Sequence, residues 1–193
     1  MANQADNRLG LALIGLLLVV GVVFVYGRVF NEDTPGDYKA RKGNYRLEDG
    51  QYEEAIAEFE GALDKNPDHV GAHLGLALTR IQTGELDVAL AELETTLRLD
   101  PRLAVAYANR GIVLDKLGKP VEAVADYQRA LELDPKLAKG PGWLWRFLRN
   151  VDEKPPTIRD RVEYLEAELA KPADQQLLQL PEEDEKQRMY KVK

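Results

Sequence analysis

The stretch "LRLDPRLA" at Leu97–Ala104 returns as "LELDPKLA" at Leu131–Ala138, an offset of 34 residues, with six of eight residues identical. A weaker copy, "LDKNPDHV", lies another 34 residues upstream at Leu63–Val70. A fixed period of this length restricts the fold more than any other feature of the chain. It means that one supersecondary unit recurs and that each copy buries its apolar face against the next.

Aligned on these echoes, the units are residues 36–69, 70–103 and 104–137. The third divides into two helical patterns at "LGKP". Tyr107, Gly111 and Leu114 share one face of the first helix, and Ala123, Tyr127, Ala130 and Leu131 share one face of the second. Pro120 suits the first turn of a helix, where its missing N–H costs nothing. Asp134-Pro135 ends the pair, because the residue before a proline avoids the α region.

This pattern resembles the tetratricopeptide repeat family, whose units are 34-residue helix–turn–helix pairs. Gly111 and Ala77 match the small residue of the first helix, Gly50, Gly84 and Gly118 the turn, and Ala55, Ala89 and Ala123 the small residue of the second helix. Phe59, Leu93 and Tyr127 match its large packing residue, and Pro67, Pro101 and Pro135 the terminal proline. The resemblance covers about half the chain and implies an all-α solenoid of three repeats, residues 36–137. The first unit departs from it by placing Lys39 and Lys42 where large apolar residues are usual. A polar first helix suits the unpartnered end of a solenoid; a helix that orders only on binding is the alternative.

Ahead of the repeats, after a tail of residues 1–8, Leu9 to Tyr26 is 18 residues without a charge. As a helix of about 1.5 Å per residue it matches the hydrocarbon thickness of a bilayer. Arg8 and Arg28 bracket it, and Tyr26 and Phe30 suit the interfacial belt. The run is longer than the core of a secretion signal and leads into "YGRVFNED", which offers no small-x-small cleavage site. Residues 9–30 are therefore expected to be an uncleaved transmembrane anchor, with 31–35 as linker, in a single-pass protein of a bacterial inner membrane. Counting only Lys and Arg favours the C-terminal side in the cytoplasm, but long domains translocate largely regardless of charge, and a periplasmic repeat domain is expected, with a cytoplasmic one as the alternative.

After the repeats, residues 138–171 are expected to form C-terminal capping helices. Trp143, Leu144, Phe147 and Leu148 make one short apolar face, from which Trp145 is left over as a partner contact. Thr157-x-x-Asp160 is a capping signal, and Ile158, Val162, Leu165 and Leu169 form a helical stripe. Residues 172–193 are expected to be an extended or disordered tail, or a segment that lies against a partner or the chain's own groove.

The formal charge of −7, without a basic stripe, argues against a nucleic-acid surface. The absence of cysteine excludes disulfides, thiolate metal sites and a cysteine nucleophile. His69 and His73 have a metal-compatible i, i+4 spacing but lack a third ligand. No phosphate-binding glycine loop and no nucleophile–base pair is present, so neither a cofactor, a small-molecule substrate nor catalysis is expected.

What the resemblance implies instead is a protein partner bound on the concave face, which the first helix of each repeat lines. The inward positions include Asn44 in the first unit, Leu74, Leu78, Ile81 and Gln82 in the second, and Val105, Ala108, Ile112, Asp115 and Lys116 in the third. A carboxylate clamp of the kind some family members use is not implied, since only Asn44 fits and Ala40 and Val105 replace the cations. The apolar middle of this face is expected to take a partner's helix or extended segment. The alternative is that Leu78 and Ile112 are covered by neighbouring helices or by the chain's own tail. A membrane-anchored adaptor in scaffolding or assembly of a membrane complex is the reading that follows, with a permanent small structural subunit of such a complex as its rival.

Overall fold

A computed structural model describes residues 19–20, 34–140, 156–179 and 189. The chain divides into two units, residues 1–34 and 35–193. In the first, Val19 and Val20 are helical and exposed. Otherwise the expected anchor at 9–30 lies outside the described residues, as do Trp145 and its apolar face. Among the described residues no helix is long and apolar enough to cross a membrane.

The described residues of the second unit are all-α and form seven α-helices: α1 (Asp37–Glu48), α2 (Tyr52–Leu63), α3 (Val70–Thr83), α4 (Leu86–Leu99), α5 (Ala104–Lys116), α6 (Pro120–Leu133) and α7 (Ile158–Leu169). They pair in order as α1/α2, α3/α4 and α5/α6, and each pair packs on the next. The turn inside each pair passes through Gly50, Gly84 or Gly118, at φ of 73°, 81° and 73°. These left-handed conformations close the first helix at low steric cost only for a residue without a Cβ. Pro120 occupies the first turn of α6, and Asp134 ends it with an extended backbone and caps the following 3-10 turn through Lys136 N–H.

Small residues permit the close approach of successive pairs. A Cβ on Gly75 would lie 2.2 Å from the Phe59 ring, and one on Gly43 2.7 Å, so the fully buried Phe59 side chain is clasped between α1 and α3. Gly111 admits Tyr127 in the same way, at 2.6 Å. The first core cluster runs through repeats one and two into α5 of repeat three, from Ala40 to Val113. The second joins repeat three to α7 through Ile112, Tyr127, Ile158, Val162 and Leu165. Thus α7 covers the end of the third repeat that a further repeat would otherwise cover. Its N-terminus is closed by a capping box: Thr157 N–H donates to Asp160 Oδ2 at 2.8 Å, and Asp160 N–H donates to Thr157 Oγ1 at 3.3 Å.

The polar first helix is fully formed. Lys42 Nζ bonds Glu58 Oε1 at 2.5 Å and Lys39 Nζ lies 3.9 Å from Glu58 Oε2, so the two lysines that break the apolar pattern hold α1 to α2. The Lys42 hydrogen bond, with the charges of Lys39 and Arg46 behind it, lowers the Glu58 carboxyl below the usual range.

Candidate functional site

The helices expected to line the concave face, α1, α3 and α5, pack side by side, and the structure separates the positions expected on that face into two groups. Ala108 and Ile112 are 0% and 1% exposed, and Leu74 and Leu78 4% and 2%, so they belong to the core. The expected open apolar patch is therefore corrected: its centre is covered, because Ala108 and Ile112 share the cluster that α7 closes and Leu74 and Leu78 lie inside the first cluster. Ile81 and Val105 are half-buried against that cluster. Asn44, Gln82 and Lys116 are exposed.

Asp115 also changes role. Rather than facing a partner, its carboxylate is buried and accepts two hydrogen bonds from Arg161 of α7, Nε to Oδ2 at 2.6 Å and Nη2 to Oδ1 at 2.9 Å. Arg161 lies three residues after Ile158 and four before Leu165, so it belongs to the apolar stripe. A charge inside such a stripe was the sequence signal for a buried partner of opposite sign.

An open cavity marks the N-terminal end of the face. A cavity of about 370 Å³ lies between α1 and α3. Val70, Leu74 and Leu103 supply its apolar lining, and Gly71 leaves room beside them. Asn44 and Arg41 line it from α1. Asp37 and His69 complete the rim as a pair, with His69 Nε2 2.8 Å from Asp37 Oδ1. The His69 side chain caps α3, its Nδ1 accepting the Ala72 N–H at 3.1 Å, which leaves the proton on Nε2 to be donated to Asp37. His73 is used in the same structural fashion, with Nδ1 2.6 Å from Glu92 and Nε2 2.9 Å from the Pro67 carbonyl. The two imidazoles thus point to different partners, and among the described residues no cluster of three metal-ligating side chains occurs.

A wider opening, about 500 Å³, lies between α6 and α7. Leu131 and Val162 line it together with charged and amide side chains, and the Gln128–Glu166 bond at 2.6 Å bridges it. It lies on the α6–α7 seam, away from α1 and α3, and the sequence offered no signal for it, since it exists only where α7 docks.

Part of the tail lies against the fold. Residues 173–175 form a 3-10 turn, and Leu177 and Leu178 run back along α7: Leu177 N–H donates to Glu168 Oε2 at 2.8 Å, its carbonyl accepts from Tyr164, and the Leu178 carbonyl accepts from Arg161 at 3.1 Å. Met189 packs against the first core cluster, and its sulfur accepts from Gln82 Nε2 at 3.5 Å.

Models of the tetratricopeptide repeat match residues 46–109 and 104–137. No curated protein matches the chain. Several solved structures share the fold. The first TPR domain of Spaghetti (RPAP3), solved with an HSP90 peptide SRMEEVD, is 22% identical at a TM-score of 0.58, covering 72% of this chain and 97% of that one. The first TPR domain of human RPAP3, solved by NMR, is 26% identical at 0.51, covering 62% and 91%. The Arabidopsis OM64 TPR domain is 22% identical at 0.51, covering 53% and 84%.

Proposed function

We propose that this chain, a tetratricopeptide repeat protein, captures an extended segment of a protein partner in the groove between α1 and α3. Domains of this kind generally mediate protein–protein interaction. The observation that carries the reading is the 370 Å³ cavity, apolar at its base and polar at its rim. An apolar side chain of the segment enters between Val70 and Leu103. The Asn44 amide, with both donors and an acceptor, is placed to bond the main chain of an extended peptide.

Residues 9–30 hold this domain at a membrane, in our reading a bacterial inner membrane with the repeats on the periplasmic side. The 18 uncharged residues and their flanking arginines support the membrane span. Tethering restricts the search for partners to the layer beside the bilayer and raises their effective concentration, which suits scaffolding or assembly of a membrane complex.

The test is a tagged pull-down from membranes with the full chain and with Asn44→Trp. Asn44 is exposed, so the indole fills the cavity without entering the core. Loss of the captured proteins by about tenfold or more, with unchanged helical content, is the expected result. An unchanged set of captured proteins overturns the reading.

A further inference from the structure

The C-terminal end of the same concave face already has an occupant. The described tail residues meet the fold at three successive places. Leu177 and Leu178 are bonded to three consecutive turns of α7, through Glu168, Tyr164 and Arg161. The Gln179 side chain comes within 3.7 Å of the Cβ position of Gly118, in the turn after α5. Met189 reaches Gln82, in the last turn of α3. The order of contact is thus repeat cap, repeat three, repeat two, along the C-terminal ends of the inner helices.

From this arrangement we infer that the tail, through residues 177–179 and Met189, is an intramolecular ligand of the concave face, with Met189 seated at Gln82. The chemistry suits the seat. An unbranched thioether adapts to an irregular apolar surface, here the cluster that includes Leu78, while its sulfur accepts the Gln82 amide proton. Leu178 packs against the second cluster and Met189 against the first. The groove between α1 and α3 stays open, and a partner segment that extends past it toward α5 must displace the tail. Because the tail is tethered, it competes at an effective concentration in the millimolar range.

The chain has two methionines, Met1 and Met189, which allows a direct test on the full-length protein in detergent. With 13C-methyl methionine, Met189→Leu identifies the Met189 signal. The expected result is a signal displaced from that of Met1, with cross-peaks to the Gln82 side chain that Gln82→Ala removes, and unchanged on tenfold dilution. Two coincident, narrow methyl signals overturn the inference. So does a displaced signal that is lost on dilution, since that assigns the contact to the tail of a second copy. In a second arm, a synthetic peptide of residues 176–193 should bind a chain ending at Gln175 at least about tenfold more tightly than it binds the full chain. Equal affinity for both, or binding to neither, overturns it. No partner is needed in either arm, so failure here leaves partner capture at Asn44 standing, and the reverse.

Discussion

Arg161 and Asp115, 46 residues apart, form a bidentate pair in which the side chains retain only 8% and 3% of their exposure. The pair ties the last inner helix to the capping helix, and the same guanidinium also bonds the Leu178 carbonyl and lies 5.3 Å from the Tyr164 ring centroid. One side chain thus joins repeat, cap and tail.

Arg161→Ala should therefore be costly. It leaves a buried carboxylate without its counter-charge, and the expected loss is about 3–5 kcal/mol. The double variant Arg161→Met/Asp115→Leu should recover much of that loss, because apolar groups of similar size remove the desolvation penalty together with the pair. Urea melts of the unsubstituted protein and the two variants check this, and a double variant no more stable than Arg161→Ala would refute it.

Gly75→Ala tests the close packing of successive repeats. Its Cβ would lie 2.2 Å from the Phe59 ring, which has no exposed side to move toward. A loss of about 1–3 kcal/mol from overpacking is expected, although alanine is the better helix former. The same change at Gly71, which is exposed, should cost less.

Leu78→Glu and Ile112→Glu separate core from surface. Both positions lie on the concave side of the helical pattern, and both are buried. Each substitution buries a carboxylate without a partner, so each should lower the melting temperature by many degrees rather than merely weaken capture. Unchanged melting would place these side chains on an open surface.

Acid should loosen the tail. Hydrogen bonds from Lys171 and from the Leu177 backbone N–H lower the Glu168 carboxyl below its ordinary range. A carboxyl whose folded pKa is lowered stabilises the fold fully above its unfolded value, near 4.3, and loses that contribution as pH falls toward and through the lowered value. Glu168→Gln should reduce the acid sensitivity of Leu177 amide exchange and raise that exchange at pH 7. Exchange rates of Leu177 across pH 3–7 in both proteins provide the measurement.

The repeat architecture was readable from one chain because its marks are local. A turn at Gly84 requires a positive φ, a helix stops before Pro135, and an apolar stripe returns every three or four residues whatever the rest of the molecule does. Tertiary structure alone decided how open each inner position would be. Exposure depends on what docks from elsewhere in the chain: α7 covers Ile112 and pairs Asp115, while Met189 settles beside Gln82 from 107 residues away. Periodicity gives the direction in which a side chain points, but not whether another segment has arrived there first.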